Sequence, residues 1–392
     1  MIIFNNIKNI FTTYTTFPYM KVFFSLLCLI FSVCGLRAQT VRSVSGFPSA
    51  EPGYSLGVSA CYAGCIGDYL VMAGGCNFPE SGKPKKYYAG VYAARVDSEV
   101  LQWRLVGFLP EPAAYGVTVV SGDSLIIIGG NNNAHALASV YSLHLDEAAT
   151  QITINRLADM PCTVDNMAVA QTGTDVFVVG GNQNGKPSAD VLHFSLDAPQ
   201  PIADAGNGSA PTTQYTRLTM PSNPRVQPVA AAYRNKVYVW GGFYANGAQS
   251  EVYTDGYSFD IDTEEWAQMA APHSVSGEEM TLSGGIACAL GDKIYATGGV
   301  NRSIFLDAIS GRYERVKKED YLHQPIDWYR FSGNLYVFDC EKGEWLPTSF
   351  AHKALARAGA VIVPTPLGVY YIGGELKPAV RTPQIVNCIQ TY

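Results

Sequence analysis

The chain has 392 residues, 47% of them hydrophobic and only 15% charged, with a formal net charge of −6. So much apolar material can bury a large core and excludes intrinsic disorder, and the acidic balance leaves no basic face for nucleic acid or an anionic membrane surface. Nine cysteines and six histidines lie scattered, with no CxxC and no HExxH, so neither a disulfide scaffold nor a metal or cofactor centre is expected.

The first forty residues have the pattern of a targeting segment. Lys21 precedes the apolar run VFFSLLCLIFSVCGL, and Arg37-Ala38-Gln39 follows it, which predicts a secretory signal over residues 1–39 with Met20 as an alternative start. Cys34 would suit a lipid anchor, but Val33 is larger than the small residue that normally precedes a lipidated cysteine. No later segment is apolar over a bilayer-spanning length. The expected mature chain, residues 40–392, is therefore exported, without a membrane span, to a compartment such as the periplasm. After the leader seven cysteines remain, an odd number, most of them expected to be buried as small hydrophobes.

From there the chain repeats itself. Short hydrophobic runs such as LIIIGG and VFVVGG end in glycine pairs at Gly74-Gly75, Gly129-Gly130, Gly180-Gly181, Gly241-Gly242, Gly298-Gly299 and Gly373-Gly374, at steps of 55, 51, 61, 57 and 75 residues. Turn signals such as Gly122-Asp123, Asn235-Lys236 and Gly291-Asp292 precede these runs, because Gly, Asn and Asp tolerate the positive φ of tight hairpins. Runs apolar on both faces fit strands sandwiched between neighbouring sheets. A unit near 50 residues with four short strands cannot bury its faces alone and must stack radially. The chain thus resembles kelch-type repeats and is expected to be all-β, a six-bladed β-propeller.

The two ends supply the last repeat. Gln39 to Gly74 together with Gly373 to Tyr392 amounts to one further unit length, so the segment TVRSVSGFP is expected to be the outer strand of the blade built from residues 356–390. Such terminal-strand ring closure leaves no unpaired sheet edge. The long step between Gly299 and Gly373 carries an insertion near residues 301–333, charged, aromatic and partly helical, expected to fold over the channel mouth; a surface decoration is the alternative.

Loops after the glycine pairs converge on one mouth of a propeller, which makes Asn77, Asn131, Asn182, Phe243, Asn301 and Glu375 candidates to meet one ligand. Asparagines suit an oxygen-rich molecule such as a sugar, though asparagine also follows glycine simply because it favours turns. Arg225, in SNPRVQP, is a further candidate contact. Within GGELKPAVRT, Glu375 and Arg381 put a carboxylate and a guanidinium on one loop. That pair is either a base beside an anion-holding fork or an ion pair bracing the loop.

This motif, with six kelch-like units and a leader, resembles the N-acetylneuraminate epimerase (sialic acid mutarotase) family, with weaker support from GGCNFPE and GGVNRSIF. The resemblance implies that Glu375 is the proton acceptor and Arg381 a substrate-site residue, there to pair with the sugar carboxylate. It further implies interconversion of the α and β anomers of a sugar acid by acid–base ring opening; Asn77, Asn301, Arg225, Asn131 and Asn182 are, by their places in the loops, the candidate substrate contacts. In better-known members the motif lies mid-chain, whereas here it is C-terminal, like a cyclically permuted branch. A non-catalytic kelch module binding a glycan or protein stays open beside this reading. Neither sialidase S-x-D-x-G-x-T-W boxes nor the clustered histidines of a copper oxidase occur.

Overall fold

The computed structural model describes residues 39–80, 82–96, 100–197 and 214–390, so the expected secretory segment lies outside the described residues apart from Gln39. Among the described residues six antiparallel sheets of four or five strands follow one another, beside three smaller ones in the loops. From inside outward, blade 1 is Tyr62–Ile66, Tyr69–Ala73, Gly90–Arg95 and Arg104–Phe108. Blade 2 is Val117–Ser121, Ser124–Ile128, Val140–Leu145 and Ile152–Arg156. Blade 3 is Ala168–Thr172, Asp175–Val179, Asp190–Ser195 and Thr216–Thr219. Blade 4 is Val226–Tyr233, Lys236–Tyr244, Gly256–Asp260 and Glu265–Met269, with a short extra strand at Glu251–Val252. Blade 5 is Gly285–Leu290, Lys293–Gly298, Leu335–Asp339 and Glu344–Trp345. In blade 6 the N-terminal strand Gln39–Val44 lies outside Ile385–Gln390, Gly368–Ile372 and Val361–Thr365, the closure expected from the chain ends.

The six innermost strands touch one another in a closed cycle, blade 6 against blade 1 as well as each blade against the next. Hydrophobic cores fill the gaps between blades. Val119, Ile126 and Ile128 of blade 2 meet Val176, Val178 and Leu192 of blade 3, and Tyr238 and Trp240 of blade 4 meet Ile294, Tyr336 and Phe338 of blade 5. The second strand of a blade is buried on both faces for this reason, as at Ser124–Ile128 and Asp175–Val179. Each such side chain, taken from water, contributes roughly 1.5–3 kcal/mol.

The glycine pairs stitch each blade to the one after it. In blade 1 the Gly75 N–H donates to the Ala113 carbonyl at 2.8 Å, and in blade 6 the Gly374 N–H donates to the Val58 carbonyl at 2.9 Å. Both glycines of each pair have positive φ, and a Cβ on Gly74 would stand 2.3 Å from the Ala113 carbonyl oxygen. At the first glycine of each pair a side chain is excluded because backbone leading into the next blade occupies its place. Gly74→Ala is expected to destabilise the fold by on the order of 2 kcal/mol, read as a lower urea midpoint; an unchanged midpoint would show that the two blades can part without cost.

Candidate active site

Above the channel, six residues form a collar: Ala60, Tyr115, Asn166, Gln227, Gly284 and Gly359, all with positive φ. Each N–H donates to the carbonyl of the preceding collar residue at 2.8–3.0 Å, and Ala60 donates to Gly359, so the hydrogen bonds run once around the ring without a break. All six lie fourteen positions before the first glycine of their blade. The side chains differ by side. Tyr115, Asn166 and Gln227 make a polar arc, while Ala60, Gly284 and Gly359 leave the opposite half bare. Below them runs a cavity of about 610 Å³ with no charged side chain in its lining.

Over the bare half stands the hairpin of Glu375–Lys377 and Val380–Arg381, in which Glu375 and Arg381 are direct cross-strand partners. Ala379 turns it with φ 67°. Glu375 is tied to the collar through its backbone, donating its N–H to Ala358 at 2.7 Å and accepting from Ala358 at 3.0 Å, next to Gly359. The Arg381 guanidinium donates through Nη1 to the Glu375 carboxylate and through Nε to Ser59 Oγ at 2.6 Å, next to Ala60, and lies over the Phe78 ring at 5.3 Å. The Arg381 side chain is only 4% exposed, against 25% for Glu375. The carboxylate is thus the member of the pair that a ligand can reach. Burial pushes the Glu375 carboxyl above its ordinary value, with the charges of Arg381 and Lys85 pulling the other way.

Lys85 and Tyr115 complete the cluster. Lys85 Nζ donates to Tyr115 Oη at 2.9 Å, and Tyr87 Oη donates to Asn131 Oδ1 at 3.0 Å. Burial raises the Tyr115 phenol well above its ordinary range, so it stays protonated. On the other side of the arc, Gln227 donates to Asn166 Oδ1 at 2.7 Å, and Asn166 donates to Asp165. Among the described residues no group of three or more His, Cys, Asp and Glu is placed to hold a metal ion.

The other sequence candidates sit differently from expectation. Asn77 is 2% exposed, donates to the Gly53 and Gly57 carbonyls at 2.8 Å each and accepts from Tyr88 Oη, so its amide ties loops together rather than facing a ligand. Arg225 is 1% exposed, donating to the Gly241 and Asp255 carbonyls and to the Asp255 carboxylate at 2.8 Å. Tyr253 lies against its guanidinium at 4.2 Å. Arg357 plays the same part in blade 6, holding the Gly373 and Gln384 carbonyls at 2.8 Å each. Asn301 caps the helix Arg302–Ile309 (α1), its Oδ1 accepting from the Ile304 N–H at 3.1 Å. Asn131 stands behind Tyr87, and Asn182 donates to Asp165 Oδ1 at 2.8 Å, one residue removed from the collar. Tyr115, Asn166, Gln227, Lys85, Ser59 and Phe78 escaped the sequence reading; aligning the units on their glycine pairs would have exposed the three collar residues.

The insertion joins blades 4 and 6 on this face. Arg302 of α1 donates to the Val252 carbonyl at 3.0 Å and Phe305 packs edge-on against Phe243. Further along, the 3₁₀ turns Lys318–His323 and Ile326–Tyr329 sit against the hairpin, where Lys377 Nζ donates to the Leu322 and Gln324 carbonyls at 3.0 and 2.6 Å. The insertion therefore walls and braces the Glu375 hairpin.

Six four-stranded sheets closed about an axis, each sewn to the next by a glycine pair, define a kelch-type propeller. The chain belongs to the kelch-repeat family: the family model described as KLHDC2/KLHL20/DRC7 Kelch-repeats domain matches residues 59–299. More narrowly it resembles the N-acetylneuraminate epimerases, whose family model matches residues 209–390 and so includes Glu375 and Arg381. Curated relatives of that description are 27% identical over 259 residues in Yersinia pestis (63% of this chain, 60% of the relative) and 28% over 239 residues in Haemophilus influenzae (57% and 56%). In Escherichia coli O6:H1, N-acetylneuraminate epimerase 1 is 28% identical over 218 residues, 52% of this chain and 55% of the relative. The chain thus spans little more than half the length of these relatives. Among the described residues no helix is long and apolar enough to cross a membrane.

Proposed function

We propose that this protein interconverts the α and β anomers of N-acetylneuraminate or a related sugar acid, by acid–base ring opening at Glu375. The observation that carries the reading is a reachable carboxylate, held in register by a buried arginine, over the bare half of a collar whose other half is polar. The names of the relatives support the same substrate class.

Glu375 takes the proton from the anomeric hydroxyl, and the protonated carboxyl returns it to the ring oxygen as the bond between that oxygen and the anomeric carbon breaks. The anomeric carbon becomes a ketone and the ring oxygen an alcohol. After rotation about the neighbouring carbon–carbon bond, the alcohol adds to the opposite carbonyl face and the proton retraces its path. Nothing is oxidised or reduced, and Glu375 ends as it began. Arg381 aims the carboxylate and holds back the rise in its pKa. The cavity and the polar arc offer hydroxyl and amide groups to an oxygen-rich ligand. Export to a periplasm-like compartment belongs to the same proposal, since free sugar acids released outside the cell would be met there as their α anomers.

The test is proton NMR of freshly released α-N-acetylneuraminate with and without protein. Faster anomerisation with protein supports the reading, and equal rates refute it. Because burial raises the Glu375 pKa, the acid limb of kcat/KM should have its midpoint above the ordinary glutamate value of about 4.3. Activity is then full above that midpoint and lost as pH falls through it. Arg381→Met removes the nearest opposing charge, so the limb should move to higher pH; a shift to lower pH would contradict the electrostatic account.

A further inference from the structure

The Arg381 guanidinium is almost wholly buried and bonded to Glu375 and Ser59, which leaves it little surface to offer the acid group of a substrate. A buried pair of opposite charges has little net attraction left for a third ion. The mouth nevertheless carries a second positive charge, one that acts on the Glu375 carboxylate without being bonded to it. Lys85 Nζ stands 4.7, 5.8 and 5.9 Å from the ring centroids of Tyr115, Tyr87 and Phe78, and among the described residues no carboxylate pairs with it. Aromatic faces hold an ammonium in place without neutralising it. One of its three N–H groups goes to Tyr115 Oη, which leaves two for a ligand. Phe78 receives Arg381 and Lys85 alike, so the ammonium sits beside the catalytic pair on the same rim.

We propose that Lys85, positioned by Tyr115, Tyr87 and Phe78, is the subsite for the substrate carboxylate, and that it selects acidic over neutral sugars. The inference rests on the anomerase reading and names which cation does the selecting. In N-acetylneuraminate, a 2-keto sugar acid, the carboxylate is attached to the anomeric carbon, so an anchor for that group beside the base fixes the atom that must react. The arrangement is a second charge placed where Glu375 needs the substrate held, which a neutral sugar could not use.

The test compares N-acetylneuraminate with its methyl ester, by calorimetry, on the wild type and on Lys85→Met. The wild type should prefer the acid. Lys85→Met should weaken acid binding roughly 10- to 100-fold, leave ester binding unchanged and so erase the preference. In kinetics the same variant should raise KM with little change in kcat, and Lys85→Arg should restore the preference because the charge returns. A wild type that binds both equally, or a Lys85→Met that keeps the preference, overturns the inference. Should Lys85→Met not fold, Lys85→Gln read by the same acid-to-ester ratio decides the matter. Failure of the wild type to bind or anomerise the acid at all would strike the function itself, which is a different outcome from an intact activity indifferent to Lys85.

Discussion

Replacing Glu375 with glutamine is expected to slow catalysed anomerisation by roughly 10²- to 10⁴-fold, the usual contribution of a positioned acid–base group. The substitution is nearly isosteric, and the amide oxygen can still accept from Arg381 Nη1, so the hairpin should keep its shape. What is lost is the ability to take and return a proton. Circular dichroism and thermal melting should match the wild type, and acid binding by calorimetry should persist. A variant that binds the sugar acid but no longer shortens the life of the α anomer in NMR would separate catalysis from binding. Undiminished activity in Glu375→Gln would remove the base assigned here, while a wild type that only binds would leave a kelch propeller without a reaction.

Arg225→Ala is expected to lower stability by about 3 kcal/mol without a specific effect on the sugar. With its guanidinium gone, the Gly241 carbonyl and the Asp255 carboxylate lose their arginine donor inside the seam between blades 3 and 4, the Asp255 carbonyl keeps only the Gly241 N–H, and Tyr253 loses its stacking partner. An arginine at this depth is replaced by a void, which the stiff glycine-stitched backbone cannot close. The urea midpoint should fall, and the protein that remains folded should keep the wild-type KM. Arg357→Ala should behave alike, since it holds Gly373 and Gln384 in the same way in blade 6. A stable Arg225→Ala that fails to bind the sugar acid would instead return this residue to the ligand site.

These two expectations divide the residues as their spacing alone could not. Glu375 and Arg381 stand six apart across a tight turn, and a two-stranded hairpin brings such positions face to face, so their meeting was readable from GGELKPAVRT. Asn77 and Asn301 also follow glycine pairs, and Arg225 lies in the loop SNPRVQP, yet their side chains turn inward to satisfy backbone groups that the loops leave open. Sequence position specifies which loop a residue occupies but not whether its amide is already spent on a neighbouring carbonyl. Lys85 was missed for a related reason: a lysine in a loop after Pro84 is unremarkable until Tyr115 arrives from the adjoining blade and Phe78 from its own.

Six repeats, their period and the two half-units at the ends were enough to dictate a closed ring of blades, because local turn chemistry and two-sided hydrophobic strands are written in consecutive residues. Which side chains share the mouth was settled only when the ring closed. Closure sets Ser59 of the first blade beside Arg381 of the last, more than three hundred residues apart, and a contact over that distance follows from the angle each blade makes with the next rather than from any local pattern.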